Sequence, residues 1–325
     1  MNFSRRCILS TAFALALAPI AHAQAQTGTW PERPVRLIVN FAPGGGTDAI
    51  ARLVADSLSK TLGQSVVVVN RVGAAGNIGL DAVAQAAPDG YTLLHSSDGP
   101  IVINPHIFEQ ARVATELVAV APTAGSPMLL IVRPDVPGSG SLKDFLAYLR
   151  ANPDKLNYGS AGAGTLQHVA VEAMAAAANV KALHVPYRGS QAILADMLGG
   201  RIDFTVDLGA AVPFIKSGQL KILGVVGPQR SELFPDVPTL KEQGLDVAMT
   251  WISGIYAPRG TPQPIVARLN QEISRTMQTP EMKASLVAMA AESLPVMSPE
   301  EFAKYQQRSR DAYGEVVRRA GIKVD

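Results

Sequence analysis

The segment Leu37-Ile-Val-Asn-Phe41, followed by Ala42-Pro-Gly-Gly-Gly-Thr-Asp48, constrains the fold more than any other part of this chain. An apolar run of strand character meets three glycines. Helical spacing of Ile50, Leu53, Val54, Ser57 and Leu58 then predicts a helix from Asp48 to Leu62. A strand that turns into a helix through glycines leaves backbone N–H groups converging on one spot at the positive end of the helix. Such a spot suits a carboxylate or a phosphate.

The pattern then repeats. Ser65 to Asn70 reads as a strand, Arg71 to Asn77 as a glycine loop, Ile78 to Gln85 as a helix and Tyr91 to His95 as a third strand. This β-α-β-α-β order predicts a parallel sheet with helices on its faces. A second block begins with a strand at Met128–Arg133 and a helix at Ser141–Ala151, with Ser141 as N-cap. It continues with a strand at Leu156–Tyr158, the loop Gly159–Thr165, a helix at Leu166–Ala178 and a strand at Leu183–Val185. After Pro186–Ser190 come a helix to Leu198, a strand from Ile202 that ends at Asp207, and another strand at Leu220–Val226. Three helical stretches close the chain, near 264–277, 280–289 and 298–320. The expectation is two α/β lobes, one from 26–122 with 226–325 and the other from 123–225. Two crossings, near 118–126 and 222–228, would join them around a cleft, and such a boundary favours a small-molecule site.

The N-terminus predicts export. Arg5 and Arg6 precede an apolar run from Cys7 to about Ile20, and Ala21-His-Ala23 or Ala23-Gln-Ala25 offers small-residue cleavage. Residues 1–25 read as a signal peptide and the periplasm as the destination. An ordinary secretory signal is expected, with the twin-arginine route as the alternative. Cleavage removes the only cysteine, and with it thiol chemistry and disulfides. It also leaves 27 basic against 27 acidic residues, so no global charge recruits nucleic acid. No later segment reaches 18 uninterrupted apolar residues, and the mature protein is expected to be soluble and monomeric.

Several chemistries fall away. No lysine lies between Arg36 and Lys60, so the triple-glycine loop is not a nucleotide P-loop. Ser160 lacks the glycine two residues before it that a nucleophile elbow needs, because Tyr158 stands there. His168 and Glu172 share a helix face, but two ligands do not make a metal site, so neither metal nor cofactor is expected. Asp207 reads either as a cleft residue or as the cap of a helix starting near Ala210. Arg188 reads either as a carboxylate clamp or as a solvated loop charge, and Phe41 and Trp251 as cleft wall or core.

Taken in order, the motifs resemble one family. They are Trp30-Pro-x-Arg-Pro-Val-Arg-Leu-Ile-Val39, Pro43-Gly-Gly-Gly-Thr-Asp48, Gly73-Ala-Ala-Gly-Asn-Ile-Gly79, Pro88-Asp-Gly-Tyr-Thr-Leu-Leu94 and Asn104-Pro105. Asn157-Tyr-Gly-Ser-Ala-Gly-x-Gly-Thr165 with His168, His184-Val-Pro-Tyr-Arg-Gly-Ser190, Leu198-Gly-Gly-x-Ile-Asp203 and Ala257-Pro-Arg-Gly-Thr-Pro262 complete the set. The chain resembles the substrate-binding receptors of tripartite tricarboxylate transporters, the Bug (Bordetella uptake gene) family. The resemblance implies a type II periplasmic binding protein, two lobes closing over a small carboxylate, and a membrane permease as partner. It implies binding through loop backbone, hydroxyls and ordered water. Phe41, Gly44, Gly45, Gly46, Thr47, Asp48, Asn77 and Ser97 would serve from the first lobe. Ser160, Gly162, Thr165, Tyr187, Gly189 and Asp207 would serve from the second.

The chain departs from the family pattern at Leu208, where an amide is usual, at Trp251, three residues before Gly254 instead of two, and at Asp98. An acid in the cleft at Asp98 would disfavour a dianion, or would pair with an amine or hydroxyl. Two other readings stand beside the receptor: a sensor receptor docking on a signalling partner, and a secreted hydrolase using Ser160.

Overall fold

The computed structural model describes residues 30–108 and 116–322, so the expected signal peptide lies outside the described residues. Two five-stranded sheets form the two lobes. The first contains β1 (Val35–Val39), β2 (Val66–Asn70), β3 (Thr92–Ser97), β4 (Leu117–Ser126) and β10 (Trp251–Pro258), in the order β2-β1-β3-β10-β4. The second contains β5 (Leu129–Val132), β6 (Asn157–Ser160), β7 (Leu183–Pro186), β8 (Phe204–Asp207) and β9 (Lys221–Val225), in the order β7-β6-β8-β5-β9.

The α/β expectation stands, but neither sheet is purely parallel. β1, β2 and β3 are parallel, while β10 lies antiparallel between β3 and β4. β6, β7 and β8 are parallel, while β5 runs antiparallel to β8 and β9. In the first sheet two further strands account for the difference. The stretch near 118–126 reads as a crossing, yet Leu117–Ser126 form a ten-residue strand, and Trp251–Pro258 form a strand that the sequence reading does not predict. Both are buried on both faces, so neither shows the alternation that marks a half-buried strand.

Helices cover both faces. α1 (Gly46–Leu62), α9 (Gln263–Met277) and α10 (Pro280–Ala288) share one apolar cluster with the first sheet. α2 (Asn77–Ala84), α3 (Gly99–Val102) and α11 (Pro299–Ala320) contribute to the cluster on the opposite face. That second cluster continues into the other lobe through α5 (Leu142–Ala151) and α6 (Leu166–Ala178). α7 (Ser190–Leu198) packs on the remaining face of the second sheet. Short helices α4 (Asn104–Ile107) and α8 (Val212–Lys216) complete the chain. Among the described residues, no helix is long and apolar enough to cross a membrane.

α11 is the principal brace between lobes, since it packs on β4, α3 and α6. Its ends are well defined. Ser298 and Glu301 form a capping box, Pro299 opens the first turn, and Gly321 ends the helix in the left-handed region at φ 63°.

The lobes also meet at the turn after β8. Ser126 Oγ donates to Leu208 O at 2.5 Å, and a Cβ placed on Gly209 would stand 2.8 Å from Ala290 O and 2.9 Å from Ala290 Cβ. Gly209 has φ +104°. Gly209→Ala therefore meets both backbone strain and overpacking. It is expected to cost about 3 kcal/mol in denaturant unfolding; a change under about 0.5 kcal/mol would show that the two lobes separate here freely.

Candidate functional site

The site is built from strand ends. β1, β2, β3, β6 and β7 each pass at their C-terminal ends into a loop and then a helix, so helix N-termini collect along one edge of each sheet. Ligands in open α/β sheets sit beyond these ends.

In the first lobe, α1 begins at Gly46 with Gly45 in the N-cap position, and no side chain caps it. Gly44, Gly45 and Gly46 are exposed while Thr47 and Asp48 are buried. The first-turn N–H groups therefore face outward as donors. Asp48 fixes this loop. Its carboxylate accepts from Gly44 N at 2.9 Å, from Arg52 Nε and Nη2 at 2.9 and 3.1 Å, and from Asn70 Nδ2 at 2.8 Å. Asn70 Nδ2 also reaches Phe41 O at 3.0 Å, tying the half-buried Phe41 to the same cluster. Burial alone would raise the Asp48 pKa, but the bonds from Arg52, Gly44 and Asn70 outweigh it and hold the carboxylate below its ordinary range. Arg52 also neutralises the acid locally, which keeps a negative charge from repelling an anion at the helix end.

The loop after β2 is unusual. Gly73, Ala74, Ala75 and Gly76 all have positive φ, at 129°, 46°, 51° and 94°. Two consecutive alanines in the left-handed region cost energy that the surroundings must supply. Asn40 and Asn104, both buried, supply it: Asn40 Nδ2 donates to Gly76 O at 3.1 Å, and Asn104 Nδ2 donates to Ala75 O at 3.1 Å and to Asn77 Oδ1 at 2.8 Å. Asn77 thus opens α2 with its side chain held. Ser97 is buried at the end of β3, opposite Ser253.

Asp98 lies elsewhere than in the cleft. It precedes α3 on the sheet face covered by α11, is fully buried, and among the described residues neither carboxylate oxygen has a side-chain partner, the nearby backbone of Ile252 and Gly99 only partly offsetting its burial. Burial pushes its pKa up to about 8. Tyr256, Tyr305 and Tyr313 surround it, each raised first by burial and then by the Asp98 charge. The dianion penalty that an acid at this position implied does not follow.

In the second lobe, Ser160 is fully buried. Its Oγ donates to Gly162 O at 2.9 Å and lies 2.6 Å from His184 Nε2. Thr165 caps α6 by accepting from His168 N, and its hydroxyl donates to Gly162 O at 2.8 Å. His168 Nδ1 accepts from Gly164 N at 3.0 Å, the structural role expected of a histidine one turn into a helix. Gln167 Oε1 accepts from Ala161 N at 3.1 Å. Gly189, at φ +131°, precedes α7 with no side-chain cap and no atom near a built Cβ.

Two predicted residues use their side chains within the lobe. Tyr187 OH donates to Asp196 Oδ2 at 2.7 Å, while its backbone N–H donates to Ser160 O at 2.8 Å. Asp207 is buried and accepts from Gly209 N at 2.7 Å and Ala211 N at 2.9 Å, which makes it the cap of the turn leading to α8. Arg188 is exposed, and Trp251 is half-buried between the two clusters of the first lobe.

Asn40, Arg52, Asn70, Asn104, Gln167 and His184 were not singled out as site residues. The available signal was a polar residue ending an apolar strand, as at Asn40 and Asn70. For Arg52 it was the i,i+4 spacing from Asp48. His184 carries no local signal, because its partner lies on a neighbouring strand.

Comparison with known proteins gives a consistent picture. A family described as "Tripartite tricarboxylate transporter family receptor" matches residues 50–322. Protein BugT of Bordetella pertussis is 34% identical over 332 aligned positions, covering 100% of both chains. The structure of R. palustris Rpa4515 with adipate is 32% identical with a TM-score of 0.82, covering 91% of this chain and 100% of that chain. MatC from Rhodopseudomonas palustris with bound malate is 32% identical with a TM-score of 0.78, covering 89% and 100%.

Proposed function

The chain belongs to the tripartite tricarboxylate transporter receptor family, and from that premise we propose that it captures a small organic carboxylate by closing its lobes and hands it to a membrane permease. The family is one of periplasmic solute-binding proteins, and this member is a transport receptor and not an enzyme. The observation that carries the proposal is the uncapped N-terminus of α1, its acid at Asp48 neutralised by Arg52. One ligand carboxylate sits on the Gly44–Thr47 loop, and the second lobe meets it with the Gly162–Thr165 loop and the start of α7 at Gly189. Asn77 and Ser97 line the first lobe. Asp48, Tyr187 and Asp207 act by holding loops in place. The adipate and malate bound by two relatives support dicarboxylates as the first class to test.

Ser160 and His184 stand at hydrogen-bond distance, the arrangement a hydrolase would need. The full burial of Ser160 and its bond to Gly162 O suit a fixed loop instead of a nucleophile.

A thermal-shift screen of mono-, di- and aromatic carboxylates tests the proposal. At about 100 times Kd a ligand contributes about 2.7 kcal/mol, so a cognate carboxylate is expected to raise Tm by roughly 5 °C. It should also be recovered unchanged by mass spectrometry. No shift across the panel removes the carboxylate reading.

A further inference from the structure

We propose that His184 is a positioning residue for the ligand loop of the second lobe, acting through Ser160 on the Gly162–Ala163 peptide. This rests on the reading of that loop as a carboxylate site.

The geometry begins at the carbonyl of Gly162. It accepts from Ser160 Oγ at 2.9 Å, from Thr165 Oγ1 at 2.8 Å and from Thr165 N at 3.2 Å. Three donors turn this carbonyl into the lobe. In a trans peptide the N–H points opposite to the C=O, so the Ala163 N–H points out of the lobe. Ala163 is exposed, and among the described residues its N–H meets no protein acceptor. Gly162 adopts φ +137°, a conformation that needs glycine and that the three bonds hold in place.

Ser160 has one hydroxyl proton and three neighbours, Gly162 O, His184 Nε2 and the Gly162 N–H, which donates to its Oγ at 3.3 Å. Every donor is used once if His184 carries its proton on Nε2. Nε2–H then donates to Ser160 Oγ, and Ser160 O–H donates to Gly162 O. This assigns the tautomer. Packing holds the imidazole in register: it stacks on His168 with centroids 3.9 Å apart and planes 7° apart, and on Tyr158 at 5.0 Å and 24°. Tyr158 is fixed in turn by its hydroxyl, which donates to Glu172 Oε1 at 2.5 Å. Burial holds both histidines below their ordinary pKa, so the stacked rings are neutral. Rotation of His184 would free Ser160 to turn, and Gly162 would lose one of its three restraints.

Four full-length variants test this: His184→Ala, His184→Gln, Ser160→Ala and the double variant His184→Ala with Ser160→Ala. Glutamine places an amide nitrogen as far from Cβ as Nε2 and can make the same bond. In the ligand-free protein, amide exchange at Gly162 and Thr165, whose N–H groups are bonded to Ser160 Oγ and Gly162 O, is expected to quicken at least tenfold in His184→Ala and Ser160→Ala. It should return to near wild type in His184→Gln. The double variant should be no worse than either single one, since both remove the same relay. With adipate as the probe, calorimetry should show about a tenfold weaker Kd for His184→Ala, recovered by His184→Gln, with Tm of the free proteins little changed. Unchanged exchange in His184→Ala overturns the proposal, as does failure of glutamine to rescue. If wild type binds no adipate, the choice of carboxylate falls, while the exchange arm still decides the role of His184.

Discussion

Replacing Asp98 by asparagine is expected to raise the melting temperature at pH 8 by about 10 °C, and to leave it nearly unchanged at pH 4. The sign follows from linkage. The Asp98 carboxyl titrates near 8 in the folded protein against an ordinary value of 3.8. Its protonated form is therefore the one that the fold accommodates. That contribution is complete below about pH 4 and is lost progressively as the pH rises to about 8, where the unfolded chain is already ionised. A shift of this size corresponds to on the order of 5 kcal/mol, or roughly 10 °C in a chain of this length. The structural cause is a buried carboxyl group that, among the described residues, has no side-chain partner for either oxygen, beneath a helix whose Gln306 amide and Arg310 Nε are likewise buried without partners among those residues. Asparagine keeps the shape and never ionises. The difference between variant and wild type is the quantity to follow. Buried His95, held down to about 3, pulls the whole-protein profile the other way on the acid side. A variant whose Tm difference stays flat between pH 4 and pH 8 would show that Asp98 is paired in solution.

The second large effect concerns ligand affinity. Asp48→Ala and Thr165→Ala are each expected to weaken carboxylate binding at least tenfold, and Arg188→Ala less than threefold. Tenfold corresponds to about 1.4 kcal/mol. Asp48 ties Gly44, Arg52 and Asn70 together, so its loss removes the shared acceptor and frees the loop that presents the helix end. Thr165 both caps α6 and fixes the Gly162 carbonyl. Arg188 stands exposed, where a single charge contributes little. The reverse ranking by calorimetry would point to a direct guanidinium clamp and away from a backbone cradle.

The repeating strand–loop–helix units were legible because their signals are local. Asp48 to Leu62 has a helical stripe, Ser141 caps α5 through Asp144 N, and Leu166–Ala178 carries its own Thr165 cap. β10 was not legible for the opposite reason. Its sequence, Trp-Ile-Ser-Gly-Ile-Tyr-Ala-Pro, is apolar on both faces and includes a glycine. Gly254 is explained only by a distant residue, since a Cβ there would lie 2.5 Å from Phe302 Cζ. Asp98 was misleading in the same way. A charged residue at a strand end suggests a cleft, but period-two alternation with Leu94 and Ser96 points it to the face under α11, and only the packed helix reveals that face as buried.

The sequence by itself determined that strands would end in glycine turns before helices, and so that bare N–H groups would be offered to an anion. It did so because turn chemistry, capping and hydrophobic period act over a few residues. The tertiary structure alone decided which acids and bases serve that site. Asp48 is neutralised by Arg52 and held by a bond from Asn70, Asp98 is hidden beneath α11, and His184 is brought to Ser160 from the next strand. Burial and pairing set the charge and orientation of a side chain, and both depend on neighbours that the fold, not the local sequence, places beside it.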